Sequence, residues 1–429
     1  MADKESEVVN SPAVAGKRIA FVLNNYPLGV STMLINSIAL LAKCNVVDVF
    51  VSAAEKGDRP CDPWLEAHLV MYPSFHRVFL LRLIRFLNNK LTSLLRLPSS
   101  RVGWYLSNLD LLLFSRWVKK ATAEPQYDIF IAVECYSLIA VHLARPAAAD
   151  IIYYNMELLD WSEADSQHPN KSALKRLEHD ALGNVTHVMI TSPERARIFT
   201  AINSYPAQNV SALPVLPLGT ATARRSDFFR RQFNIAEDRL IVVYSGNFQP
   251  WAQCVEIIES MSGWPSDAVL VMHTWNKAST SSDYFRRMVE AAEGRPVCFS
   301  SEYILHQDLP TALASADIGL LFYEAIDSNF TEILFSSNKM AEYMVANLPV
   351  ICSPFPSLKE FVSREGIGQA CGISDIGAAI SEIARDRDGY SGRVAECRRR
   401  HFQFEPYFDA AFAAYARHAG KQIAHHASL

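Results

Sequence analysis

The chain has 429 residues, half of them apolar and a fifth charged, with a formal net charge of −4. That length is too great for one ordinary core and predicts two domains of about 200 residues each. The charge balance gives no nucleic-acid signature, and no run of about 18 uncharged apolar residues predicts a membrane-spanning helix. Eight scattered cysteines, none in a C-x-x-C pair, fit a reducing compartment and argue against a disulfide framework or a zinc site.

Residues 1–15 mix acids and bases without the apolar core of a secretory signal, and read as a disordered tail. "KRIAFVLNN" (Lys17 to Asn25) then reads as a buried parallel strand. A turn at Gly29, a cap at Ser31-Thr32 and a helical apolar pattern follow, and "VVDVFVS" from Val46 is the next strand. This is one β-α-β unit, the start of a doubly wound sheet.

Residues 67–109 contain no Asp or Glu but carry Arg77, Arg82, Arg85, Lys90, Arg96 and Arg101 among Phe, Leu and Ile. Two readings stand side by side. Over 72–101 the stretch is an interfacial helix drawn to an anionic membrane surface, or its apolar face packs on the first domain while the arginines reach out to water.

Further strands are expected at Asp128 to Glu134, Asp150 to Glu157 and His187 to Ser192. After a junction near Pro214 to Ser226 a second series begins: Arg239 to Asn247, Ala268 to Trp275, Val297 to Ser301, Asp317 to Tyr323, Leu348 to Ser353 and Gly368 to Ile373, each separated by a helix-sized segment. Two alternating series predict two α/β domains, over 16–220 and 221–404, with an aromatic-rich helix over 405–429 packing back across them. Open α/β sheets bind ligands beyond the carboxyl ends of their strands. The residues at those ends are therefore candidates, and two such sheets facing each other would make a central cleft.

Within the second series, "SSNKMAEYM" reads as a helix capped by Ser337 or Asn338. The amide groups of residues 336–339 would make an anion pocket aided by the helix dipole. Lys339 would add a point charge suited to phosphate. Glu342, about one turn on, could accept two vicinal hydroxyls, as on a ribose. Diphosphate at the tip and sugar hydroxyls below match a nucleotide sugar. The plainer reading of the same residues is an N-cap followed by an acid that the dipole favours.

"SSNKMAEYMVANLPVICSPFPSLKEFVSREGIGQACG" resembles the donor-binding half of GT-B-type glycosyltransferases of the family 4 (group 1) branch. "VVYSGNF", "LPTALASADIGLLFY" and, in the first domain, "LEHDALGNVTHVMITSPERARIF" resemble further blocks of that family. The resemblance spans most of residues 17–400 and is densest over 239–372. It implies GT-B architecture, two Rossmann-like doubly wound domains facing a central cleft. It also implies transfer of a sugar from a nucleotide sugar to a hydroxyl acceptor, on a glycan or a lipid carrier, by a cytoplasmic enzyme at the inner face of a membrane. It implies no cofactor and no bound metal, and a retaining outcome. Donor-binding residues would be Gly29, Ser31, Gly246, Lys277, Ser336, Ser337, Asn338, Lys339 and Glu342.

The chain departs from the family pattern in three places. Leu334 stands where the family often has a second glutamate. "GNFQPWAQC" lacks the basic pair that follows the Gly loop, so Lys339 and Lys277 would have to supply the positive charge. Where the family often has a histidine the chain has "VECYS", which makes Glu134 a catalytic candidate with Glu157. Of these two, Glu157 is flanked by Met156, Leu158 and Trp161 and is expected to be the better desolvated. Two alternatives to a transferase are a catalytically silent GT-B protein that binds a partner, and a nucleotide-sugar 2-epimerase.

Overall fold

The computed structural model of the chain describes residues 14–24, 31–52, 63–72, 108–146, 149–160, 169–219, 222–305 and 308–426. Gly29, the tail over 1–13 and the basic stretch over 73–107 lie outside the described residues. The chain divides into two compact units, Met1–Pro214 with Glu405–Leu429, and Val215–Phe404.

The first unit is built on a parallel sheet of β1 (Arg18–Leu23), β2 (Val46–Val51), β3 (Leu69–Met71), β4 (Ile129–Val133), β5 (Asp150–Asn155), β6 (His187–Ile190) and β7 (Val210–Ala212). Their order across the sheet is β3-β2-β1-β4-β5-β6-β7. Central strands read as unbroken apolar runs because helices cover both faces: Ile19 to Leu23 and Ile129 to Val133 are all buried. Leu23 pairs with Val133, so β1 and β4 finish side by side. Strand order reverses between them, and a crevice opens at that point in such sheets.

The second unit repeats the plan with β8 (Leu240–Ser245), β9 (Ala268–His273), β10 (Val297–Ser300), β11 (Ile318–Leu321), β12 (Val350–Cys352) and β13 (Gly368–Ala370), ordered β10-β9-β8-β11-β12-β13. All pairs are parallel, and the reversal falls between β8 and β11. Asp317 fastens this pair at its amino end. Its carboxylate accepts the Ile241 amide at 2.8 Å and ion-pairs with Arg225, Arg230 and Arg387. Both units are therefore doubly wound Rossmann-like α/β domains.

The edge strands β3 and β7 have no counterpart in the sequence reading. Each is three residues long with no buried residue: β3 is apolar (Leu-Val-Met) but too short to mark a covered strand, and Ser211 interrupts β7. The C-terminal helix, Phe404–His426, belongs with the first unit. Its Tyr415 hydroxyl donates to the Asp150 carboxylate at the start of β5, at 2.6 Å.

Candidate functional site

In the second unit the helix Asn338–Val345 stands over the reversal point, and Tyr343 places it there. The Tyr343 hydroxyl accepts the Ser245 amide at 3.0 Å and donates to the Leu320 carbonyl at 3.1 Å, touching β8 and β11 together. Ser337 is the N-cap. Its Oγ accepts the Met340 amide at 3.3 Å and lies 2.9 Å from the Tyr323 hydroxyl. The Ser336 amide is bonded to the Ile333 carbonyl at 3.0 Å. That departs from an anion pocket built on all the amides of 336–339, because the tight turn into the helix uses this donor itself. Asn338 is the first helical residue, and Glu342 falls just past the first turn.

Lys339 is buried, with its ammonium at the carboxyl end of β8. Its Nζ donates to the Tyr244 hydroxyl at 3.1 Å and lies 4.5 Å from the ring centres of both Tyr244 and Tyr323 and 5.7 Å from that of Trp251. Burial lowers its pKa to about 8, against the raising influence of Cys254 and Glu342. The half-buried Glu342 moves the opposite way: desolvation raises its carboxyl to about 8, opposed by Lys339. Gly246 takes φ +155°, which residues with a side chain rarely adopt, and a Cβ there would stand 3.2 Å from Nζ and 3.3 Å from the Tyr244 hydroxyl. Leu334 is a buried apolar side chain. Lys277 opens the turn Lys277–Ser281, just past the end of β9.

In the first unit, the turn after β5 gathers the candidate residues. The Met156 amide donates to Glu134 Oε1 at 2.9 Å, the Met156 carbonyl accepts Arg195 Nη1 at 2.5 Å, and the Ser31 hydroxyl lies 3.6 Å from the Met156 sulfur. Ser31 itself caps the helix Thr32–Leu41. Glu134 is held at φ +66°, a left-handed backbone that costs a residue with a Cβ about 1–2 kcal/mol. Desolvation, then the nearby Glu157, raise its carboxyl to about 8. Glu157 lies with its side chain 68 % exposed and its carboxylate 4.0 Å from Arg195. The expected ranking of the two acids is thus reversed. Met156 and Leu158 turn into the core, while the Glu157 side chain turns out to water.

The sequence reading missed Arg195, Tyr244, Trp251, Tyr323 and Tyr343. Arg195 carried a usable signal: with Phe199 and Asn203 it repeats every fourth residue along the buried face of Pro193–Asn203. Among the described residues, no group of three or more His, Cys, Asp or Glu side chains is placed to hold a metal ion. Nor is any helix there long and apolar enough to cross a membrane.

No protein-family model matches the chain, and no curated protein matches it. Solved structures do. Sucrose-phosphate synthase of Thermosynechococcus elongatus is 17% identical with a TM-score of 0.65, covering 96% of this chain and 99% of that one. Anabaena HepE in complex with UDP-glucose is 14% identical with a TM-score of 0.66, covering 95% and 100%. An α,α-trehalose-phosphate synthase (UDP-forming) of Burkholderia xenovorans, in complex with glucose-6-phosphate, is 11% identical with a TM-score of 0.59, covering 95% and 99%. The chain has the fold of these proteins. That fold consists of two Rossmann-like domains, as the GT-B resemblance implies.

Proposed function

We propose that the protein is a glycosyltransferase that takes a nucleotide sugar in its second unit and a hydroxyl acceptor in its first. The observation that carries this reading is the pairing of Lys339 with Glu342 on one short helix at the β8–β11 reversal point. The cation suits a diphosphate, and the acid one turn on suits the ribose. Likeness in fold to HepE, whose structure holds UDP-glucose, supports the same class of donor. Fold alone does not fix function, so the weight rests on these two side chains.

In the reaction, the bond from the anomeric carbon to the diphosphate breaks and a bond to the acceptor oxygen forms. Charge develops on the leaving phosphate, where Lys339 and the Ser337-capped helix start stabilise it without a metal. Glu134 is assigned to the acceptor hydroxyl. A carboxyl poised near 8 is suited to exchanging a proton at neutral pH. A membrane-borne acceptor and the retaining outcome remain parts of this proposal that rest on the resemblance. The silent-binder reading has one observation in its favour, the buried Leu334 in place of the second glutamate.

The test is release of nucleoside diphosphate from UDP-, GDP-, ADP- and dTDP-sugars in the presence of mixed glycan and lipid-linked acceptors. Turnover of one donor that is lost in Lys339→Gln supports the transferase. Binding without turnover of any donor supports the silent protein.

A further inference from the structure

The cation of the second unit stands in unusual surroundings. Tyr244 on β8, Tyr323 after β11 and Trp251 in the turn Pro250–Ala252 surround Lys339 Nζ. Trp251 and Tyr323 are parallel, 6.0 Å apart, and Phe330 backs both at 5.4 and 6.2 Å. The Glu324 amide donates to the Trp251 carbonyl at 2.8 Å, joining the two segments that carry the rings. The Tyr244 hydroxyl gives its proton to the Asn247 carbonyl at 2.8 Å, which leaves a lone pair turned to Lys339. Trp251 comes from "GNFQPW", where the resembling family places its basic pair, Tyr244 from β8 just before it, and Tyr323 from the end of the next strand in the sheet.

We propose that Tyr244, Trp251 and Tyr323 are positioning residues for Lys339, holding one poorly hydrated ammonium where a nucleoside diphosphate binds, so that the site takes up a proton as the diphosphate arrives. This rests on the donor-site reading above. Aromatic faces attract a cation without neutralising it, and they exclude the water that would otherwise solvate it. The ammonium is then available to the phosphate at low desolvation cost, which lets one cation serve in place of two. A carboxylate in place of the rings would instead compete with the ligand.

The proton balance follows from the same geometry. Free Lys339 has its pKa lowered to about 8 by burial. A diphosphate against it favours the charged form and raises that value. Between the two values binding draws a proton from solvent, so affinity falls as pH rises through the window above about 8 and is level below it. Other groups facing Nζ are Tyr244, Tyr323 and Cys254, whose thiol burial pushes up to about 12, and Glu342 on its own helix. Burial raises the Tyr244 hydroxyl as well, so it and the thiol stay protonated there. Glu342 would act with the opposite sign, releasing a proton if the ligand stabilises its carboxylate.

The experiment is calorimetric titration of the full chain with UDP, GDP, ADP and dTDP at pH 8.5 in two buffers of different ionisation enthalpy. At that pH a terminal phosphate, with its second pKa about 6, has no proton left to exchange. Proton uptake by the wild type, absent in Lys339→Arg and with affinity reduced about tenfold in Tyr244→Phe (about 1.4 kcal/mol), is the expected result. Binding with no uptake, with proton release, or with uptake unchanged in Lys339→Arg would overturn the inference and leave the donor site standing. No binding by any diphosphate would overturn the donor site. The housing is then read directly from the lysine ¹³Cε resonance absent in Lys339→Arg: a midpoint near the usual value for lysine refutes it.

Discussion

Tyr343 lies so close to Gly319 that a methyl group on that glycine would stand 2.7 Å from the ring. This contact brings the helix of Lys339 and Glu342 down onto the centre of the sheet, and the Tyr343 hydroxyl, accepting from Ser245 of β8 and donating to Leu320 of β11, locks it there. Gly319→Ala therefore displaces the ring. The expected cost is about 1–3 kcal/mol of stability from overpacking, seen as a lower thermal midpoint. Nucleoside diphosphate binding should weaken with it, because the helix carries both residues proposed to hold the ligand.

The two acids of the first unit separate cleanly. Glu134 is tied to the Met156 amide with a raised pKa, whereas Glu157 is solvated. If Glu134 handles the acceptor proton, Glu134→Gln lowers kcat by about 10²-fold or more. Glu157→Gln, a change at a solvated side chain, should have a much smaller effect, acting only through the part of the Glu134 shift that its charge supplies. Steady-state rates with a common donor check both.

Glu134 also couples folding to pH. Its carboxyl has an ordinary value of 4.5 and is raised to about 8 in the fold. Between those values the native chain holds a proton that the unfolded chain has released, so stability declines as pH rises from about 4.5 to about 8. In Glu134→Gln that contribution is missing. Denaturant midpoints of wild type and variant should differ in step with pH across this window, the variant gaining on the wild type as pH rises and holding its lead above it.

Two glycines give opposite outcomes. A Cβ at Gly368 would stand 1.9 Å from the Val350 carbonyl oxygen, so Gly368→Ala must part β12 from β13. A loss of at least about 3 kcal/mol, at the upper end of overpacking, is expected. At Gly392, within the helix Arg387–His401, nothing lies within 4 Å. Gly392→Ala should stabilise by about 0.5–1 kcal/mol. Chemical unfolding of the two variants checks the pair.

The central strands were legible in the sequence because a parallel strand covered on both faces must be apolar throughout, as in "IAFVL" and "VLVMH". The edge strands β3 and β7 were not, because three apolar residues in β3 are too few to mark a strand and Ser211 interrupts β7. The cap at Ser337 could be read from capping chemistry, and Lys339 from its charge beside that cap. Their neighbours could not. Tyr244, Trp251 and Tyr323 lie 95, 88 and 16 residues from Lys339 in the chain and meet it only because β8 and β11 are adjacent in the sheet. The reversed ranking of Glu134 and Glu157 has a similar cause. Side-chain direction at a strand end depends on the turn geometry, here the left-handed backbone of Glu134, and flanking apolar residues do not report it.

The most direct test of the account is calorimetric titration of the purified chain with UDP, GDP, ADP and dTDP, repeated on Glu342→Ala. The account predicts that one diphosphate binds and loses about 1–3 kcal/mol in the variant, as for a lost hydrogen bond to a charged or buried group. Failure of all four to bind, or equal affinity in the variant, would contradict a diphosphate-ribose cradle on the Asn338–Val345 helix.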